Sequence, residues 1–471
     1  MLLRLIYDEI LAQSAYLIGC QKTGDAIVID PQRDVDRYID LAAQHDLRIV
    51  AAAETHIHAD FLCGVRELAE RIGAVACVSG EGGKDWSPRW LDSKSGGGSY
   101  EHRLLRDGDT FMVGNIELRA MHTPGHTPEH ITYAITDRGA GATEPIGLAT
   151  GDFVFVGDLG RPDLLETAAG QAGAKEPSAR ALAASARKFL DLPDHLQIWP
   201  GHGAGSACGK ALGAVPQSTV GYERRTSEAL QLASDERAFV DFVLEGQPSP
   251  PLYFARMKRQ NRDGVPLLGA LPRPAEVGAA ALASHPTIVD TRPWGQFRAG
   301  HAPGSLWAPL NSGFPGVIGS YLDEGDPITL IVEPAQLDLA IRCCVRIGLD
   351  NVRAWAPPGV IDDLRRAGAP LGTIREVTPE EADALRAGGT PVLDVRTAAE
   401  FDAGAIPGAI NITHTRVGER IDEVPAGEVL VHCRTGIRSA HAASLLAARG
   451  FNPINLAGGY VAWREAQGAP V

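Results

Sequence analysis

Two stretches of the 471-residue sequence gather residue types that do chemistry. In "LVHCRTGIRSA", residues 430–440, Cys433 ends an apolar run and is followed by Arg434 and, at C-x4-R spacing, by Arg438. An alanine-rich helical stretch, "SAHAASLLAARG", comes next and closes in glycine. A tight strand-to-helix loop turns backbone N–H groups inward, and the helix N-terminus adds partial positive charge. Arg434 and Arg438 add formal charge. All three effects favour thiolate over thiol, so Cys433 is expected to have a depressed pKa and to act as a nucleophile.

Far upstream, "AAAETHIHADFLCG" (51–64) supplies His56, His58 and Asp60, and "HTPGHTPEH" (122–130) supplies His126. "LATGDF" then gives Asp152, and "IWPGHG" gives His202. Each of these sites lies just beyond an apolar, strand-like run. A single histidine so placed is most simply a core or surface residue. Four placements in order, around an H-x-H-x-D core, point instead to a metal site built on strand ends, rigid and open on one face.

The elements that position these groups follow from a repeat. "IVDTRPWGQFRAGHAPGSL" (288–306) and "VLDVRTAAEFDAGAIPGAI" (392–410) share I/V-x-D-x-R-x4-F-x-A-G-x-x-P-G. Each copy opens on an apolar strand, closes in a Pro-Gly turn, and is followed by a second strand ("ITLIVE", "EVLVHC") and a helical stretch. Strands alternating with helices imply a parallel α/β sheet, so two copies of one domain are expected at 263–372 and 375–471. In the first copy Glu333 or Pro334 stands near the carrier position, and proline removes an amide from the loop. Cys343 and Cys344 lie further on, inside a helix, as core residues. This copy reads as an inactive spacer or docking unit. Residues 1–245 lack the repeat and form a separate domain, with 246–262 as a proline-rich and basic linker. "SGGGS" (95–99) reads as a flexible loop.

The length suits about three domains of ~150 residues each. A hydrophobic fraction of 44% and a charged fraction of 22% are ordinary for globular protein. The net charge of −14 argues against nucleic acid or an anionic membrane surface as partner. The first twenty residues are broken by Arg4, Asp8 and Glu9 and read as strands rather than a signal peptide. No run approaches the ~18 apolar residues of a membrane span, and a cytoplasmic protein is expected. Seven cysteines, an odd number, fit reduced thiols rather than a disulfide framework.

Residues 1–210 resemble the metallo-β-lactamase fold, an αββα sandwich with an H-x-H-x-D-H signature and later His, Asp and His ligands. At the sixth signature position this chain has Phe61, which cannot bind metal, so a two-metal hydrolytic centre has lost a ligand. Two imidazoles and one carboxylate remain with open positions, the face used by non-haem Fe(II) oxygenases. Thr55–Asp60, Pro124–Pro128, Thr150–Asp152 and Gly160–Asp163 are similar to the persulfide dioxygenase branch of the fold. That resemblance implies His56, His126 and Asp152 as ligands of one Fe(II) per chain. It leaves His58, Asp60 and His202 as extra ligands or outer support. Arg161 matches the branch's arginine; it either holds an anionic part of a thiol substrate or pairs with Asp158 or Asp163. Cys208, among small residues in "GHGAGSACGKAL", is expected to be a buried structural thiol, or a redox thiol if its pKa is low.

The C-x4-R loop is one residue tighter than the C-x5-R cradle of cysteine phosphatases. With "LAGGYVAW" (456–463) it resembles the rhodanese family, in which the cysteine carries a terminal sulfur as a persulfide. Together the halves resemble the persulfide dioxygenase–rhodanese fusions of bacterial sulfide detoxification. The resemblance implies a small thiol persulfide and O2 as substrates, sulfite and thiosulfate as exchange partners, and a homo-oligomer. The competing expectation is a zinc-dependent thioester hydrolase of the glyoxalase II kind, fused to a sulfurtransferase; Phe61 speaks against it.

Overall fold

Side-chain alternation organises the first twelve strands. Along Gln13–Cys20 and Asp25–Ile29, Ala15, Leu17, Ala26 and Val28 face one side and Tyr16, Ile18, Ile27 and Ile29 the other. With both faces apolar, the sheet must be covered twice. The computed structural model describes residues 1–168 and 170–468.

In it the first sheet runs in chain order through β1 (Leu2–Asp8), β2 (Gln13–Cys20), β3 (Asp25–Ile29), β4 (Arg48–Ala53), β5 (Val75–Ser79) and β6 (His102–Leu105). Pairing is antiparallel up to β3 and parallel beyond it. The second sheet holds β7 (Thr110–Val113), β8 (Ile116–His122), β9 (Ile131–Asp137), β10 (Gly147–Gly151), β11 (Gln197–Pro200) and β12 (Ser218–Thr219). It is antiparallel except where β10 meets β11.

Between the sheets, Tyr16, Ile18, Ile27 and Ile29 meet Phe111, Ile116, Leu118 and Trp199. The helices Asp36–Ala43 and Val65–Ile72 bury Tyr38, Ala42, Val65 and Leu68 on the outside of the first sheet. Lys175–Leu190 and Glu236–Leu244 bury Leu182, Phe189 and Phe239 against Leu148 and Ile198 of the second. Each such large side chain contributes about 1.5–3 kcal/mol on burial. The result is the αββα sandwich.

The chain forms two compact units, Met1–Ala270 with Arg346–Gly348, and Leu271–Val345 with Leu349–Val471. The stretch expected to be a linker, 246–262, is not one throughout. Phe254–Asp263 is a helix of the first unit that buries Phe254, Met257, Lys258 and Asn261. Those positions are i, i+3, i+4 and i+7, the stripe of an amphipathic helix. The prolines, ending at Pro251, concealed it.

The second unit contains two parallel five-stranded sheets. The first is built from β13 (Ala275–Glu276), β14 (Thr287–Asp290), β15 (Leu306–Trp307), β16 (Ile328–Ile331) and β17 (Val352–Ala356), in the order β13-β17-β16-β14-β15. The second comprises β18 (Arg375–Val377), β19 (Val392–Asp394), β20 (Ile410–Asn411), β21 (Glu428–His432) and β22 (Asn452–Leu456), in the matching order β18-β22-β21-β19-β20.

The repeated D-x-R is structural in both copies. Arg292 binds both Asp290 oxygens and the Gly300 carbonyl, and Arg396 binds those of Asp394 and Gly404. Register then corrects the carrier position of the first copy. Asp290 pairs with Ile331 as Asp394 pairs with His432, so Val332, rather than Glu333 or Pro334, stands where Cys433 stands. Cys343 and Cys344 are buried in the helix Leu337–Arg346. Among the described residues no helix is long and apolar enough to cross a membrane.

Candidate metal centre and sulfur-carrier loop

His56 follows β4, His126 follows β8, Asp152 follows β10 and His202 follows β11. The ligand atoms of His56, His126 and Asp152 lie within 4.8 Å of one another. Asp152 Oδ2 is 3.5 Å from His126 Nε2 and 3.9 Å from His56 Nε2, while its Oδ1 is 3.5 Å from His202 Nε2. His56 Nε2, His202 Nε2 and both oxygens of Asp60 and of Asp152 are buried without a hydrogen-bond partner. So many orphaned acceptors in one place are costly unless something satisfies them. A divalent cation does so, and the residues fit one.

Hydrogen bonds fix the tautomer of each ring. Thr55 Oγ1 donates to Asp30 Oδ2 (2.9 Å) and so can only accept from His56 Nδ1–H (2.9 Å). His126 Nδ1–H donates to the Arg161 carbonyl (3.0 Å), and His202 Nδ1–H to that of Ala12 (3.1 Å). Every Nε2 lone pair is therefore free to bind metal, as outer partners of ligating histidines arrange. Burial, then the neighbouring imidazoles, hold His56 and His126 well below the usual histidine range, in the neutral form a ligand needs. Burial pushes the Asp152 carboxyl up to about 6, against the pull of His202.

The close approach of the loops depends on glycine. Gly151 has φ +49°, and a Cβ there would lie 2.4 Å from Thr55 Oγ1. A Cβ on Gly201 would lie 2.7 Å from Asp152 Oδ1.

The other predicted residues fall elsewhere. His58 bonds Asp30 Oδ1 through Nε2 (3.0 Å), and its Nδ1 is buried without a partner, so it stands beside the centre as outer support or as a further ligand; burial lowers its pKa but Asp30 raises it to about 9. The Phe61 ring packs 4.3 Å from the His58 ring. Arg161 is buried and paired through two bonds with Asp163 (2.8 and 2.7 Å), with a third bond to the Ala207 carbonyl. Its guanidinium braces the loop, so the substrate-holding expectation gives way to the ion-pair one. Cys208 is buried, and burial with the charges of Asp152 and Asp60 pushes its thiol well above the usual range. That environment does not yield a redox thiolate. Asp60, His202 and Cys208 do form a second group with ligand atoms within 4.8 Å.

Several functional positions carried no assigned role in the sequence reading. Asp30 anchors Thr55 and His58 from the end of β3. His130 accepts the Asp152 backbone N–H at its Nε2 (3.1 Å) and donates from Nδ1 to Thr123. Asn261 donates to the carbonyls of His58 and Phe61 and accepts from Cys63 N–H. The signals were present: an acid ending "AIVID", and the last histidine of "HTPGHTPEH".

In the second unit Cys433 follows β21 and precedes the helix Ile437–Ala448. Gly436, at φ +100°, turns its N–H to the Cys433 sulfur (3.1 Å), and the single hydroxyl hydrogen of Ser439 has two acceptors in reach, the Gly436 carbonyl (3.0 Å) and that sulfur (3.5 Å). The "LAGGY" turn clamps the loop from below: Tyr460 N–H donates to the Cys433 carbonyl and Val461 N–H to that of Arg434. A Cβ on Gly459 would lie 2.5 Å from the Cys433 carbonyl oxygen. Arg434 is exposed. Arg438 is paired through two 2.7 Å bonds with Glu400, whose carboxyl it holds down at about 2. Its charge is shared between Glu400 and the Cys433 sulfur, and the cradle for sulfur is made of Gly436 N–H, Ser439, Arg438 and the helix terminus.

Residues 9–202 match the Metallo-beta-lactamase superfamily, and residues 378–466 match the Rhodanese-like domain family. A solved metallo-beta-lactamase from Staphylococcus aureus subsp. aureus COL is 40% identical, with a TM-score of 0.68, over 76% of this chain and 99% of its own. A beta-lactamase hydrolase-like protein of Xylella fastidiosa is 30% identical over 50% of this chain, which spans about half (53%) of that protein. The human mitochondrial persulfide dioxygenase is 26% identical over 50% of this chain and 78% of its own length. With four orphaned ligands on the ends of sandwich strands and a cysteine cradled at a parallel sheet, the chain belongs to the metallo-beta-lactamase superfamily and carries a C-terminal rhodanese-like domain.

Proposed function

We propose that the chain oxidises the persulfide of a small thiol to sulfite with O2 and moves sulfur through Cys433 among persulfide, sulfite and thiosulfate. What supports this most is the convergence of His56, His126 and Asp152, with His56 Nε2 and both Asp152 oxygens unsatisfied, beside a Phe61 that cannot complete a second site. When bound by these three residues, one Fe(II) would supply redox chemistry and open positions for O2 and a persulfide sulfur. The 26% identity to a persulfide dioxygenase over half of the chain points the same way.

The protein's own contribution is to hold the His56 and His126 rings in fixed tautomers, through Thr55 and the Arg161 carbonyl, and to position Asp152 through its backbone N–H bond to His130. The net reaction takes one persulfide, one O2 and one water to thiol and sulfite. In the second unit the Cys433 thiolate attacks the outer sulfur of a persulfide, the S–S bond breaks, and the carrier thiol leaves. Sulfite can then take the sulfur as thiosulfate. Gly436 N–H and Arg438, with Ser439 Oγ–H when it turns from the Gly436 carbonyl, hold charge at the Cys433 sulfur during both transfers.

Anaerobic purification with metal analysis, followed by O2 uptake on glutathione persulfide, tests the reading. About one iron per chain with oxygen consumption is expected. A second reading, a dinuclear zinc thioesterase, is favoured by the Asp60–His202–Cys208 group beside Asp152. Two zincs per chain with thioester hydrolysis and no oxygen uptake would establish it in place of the first.

A further inference from the structure

A cavity of about 270 Å³ opens beside the metal-binding loop, in the first unit. Ile57, which lies between His56 and His58, forms part of its wall. Trp86 faces it, and the helix Phe254–Asp263 contributes Lys258, Arg259 and Arg262; Asp85 is the acid in the lining. Arg262 is already balanced by Asp263, through bonds of 2.8 and 3.1 Å. Lys258 is only 9% exposed, with its ammonium 4.2 Å from the centre of the Trp86 ring. Among the described residues no hydrogen bond or ion pair engages its Nζ. The counter-charge that acts on it is Glu129, whose Oε1 accepts the Ile57 N–H (2.8 Å) while Oε2 is buried and unpartnered. A buried ammonium facing a cavity without a partner is costly, and an anionic ligand group repays that cost.

We infer that this cavity binds the anionic end of the carrier thiol, a carboxylate or a phosphate, with Lys258 as the buried donor and Arg259 as the outer charge. The preferred substrates are then persulfides of acidic thiols rather than of neutral ones. The cargo rests on the persulfide reading above; the anion site does not. It also takes over the role that Arg161 cannot fill, because Arg161 is committed to Asp163.

The test titrates the full chain calorimetrically with two inert analogues, S-methylglutathione for the carboxylate source and S-methyl coenzyme A for the phosphate source. Binding of at least one is expected, weakened roughly ten- to hundredfold in Lys258→Met, as for loss of a charged hydrogen bond. Partial recovery is expected in Lys258→Arg, with sensitivity to added salt. In oxygen uptake, the selectivity for glutathione persulfide over mercaptoethanol persulfide should shrink at least about tenfold in Lys258→Met. If Lys258→Met does not fold, Arg259→Gln at the exposed rim carries the same comparison, with a smaller loss. No analogue binding by the parent, or equal binding by parent and both variants, overturns the site. Lysine-dependent binding without any persulfide oxidation would keep the site and reject the oxygenase instead.

Discussion

The hydroxyl of Thr55 is the piece on which the His56 tautomer turns, and Thr55→Val removes it with little change of shape. In the parent that oxygen donates to Asp30 at 2.9 Å and accepts from His56 Nδ1–H at 2.9 Å, in a site that is fully buried. Valine leaves one buried N–H without an acceptor and one carboxylate oxygen short of a donor. Each loss of that kind costs about 1–3 kcal/mol in a buried site. The imidazole can recover part of it by moving its proton to Nε2, which removes the lone pair that faces Asp152. Loss of an outer partner of a ligating histidine lowers metal affinity by roughly 10–100-fold, equivalent to about 1.4–2.8 kcal/mol. Iron affinity is measured by chelator competition on anaerobic protein, with urea unfolding of the metal-free chain run beside it. Thr55→Ser keeps the hydroxyl and should stay close to the parent in both. A Thr55→Val chain that folds, yet holds iron as tightly as the parent, would falsify the role assigned to this relay.

Three further outcomes follow from the geometry. Cys433→Ser should abolish thiosulfate-linked sulfur transfer while oxygen uptake persists; joint loss of both would show the two chemistries inseparable. Gly201→Ala, which sets a Cβ 2.7 Å from Asp152 Oδ1 and 3.0 Å from the Gly151 backbone carbon, should cost about 1–3 kcal/mol in urea unfolding and lower the bound metal per chain. Burial holds His441 down at about 4, while its Nδ1–H donates to the Trp307 carbonyl. The unfolded chain takes up this proton below pH 6.5 and the folded chain does not, so the stabilising difference is whole above 6.5 and falls as pH drops towards 4. The slope from this group is about 1.4 kcal/mol per pH unit. The non-titrating His441→Gln should remove that slope from urea unfolding of the full chain between pH 6.5 and 5; an unchanged slope would disprove the assignment.

What was legible in the sequence was whatever repeats or alternates locally. The paired D-x-R motifs announced two related sheets because each arginine closes on an aspartate two residues away, a contact that needs no tertiary knowledge. The strand-end ligands were legible because strands end where polar residues begin. Arg161 and Lys258 show where that reasoning stops. The arginine's partner, Asp163, lay within two residues, so pairing and substrate binding looked alike until burial decided between them. Lys258 sits on a helix whose stripe of Phe254, Met257 and Asn261 was readable by period, but flanking prolines and basic residues gave the segment the composition of a connector. Its meaning depends on Trp86 and Glu129, brought to it from more than a hundred positions away. A buried cation acquires a function only from what the fold leaves unpaired around it. Local pattern therefore finds the ligands of the metal, while the group that chooses among substrates emerges only once the sandwich has closed.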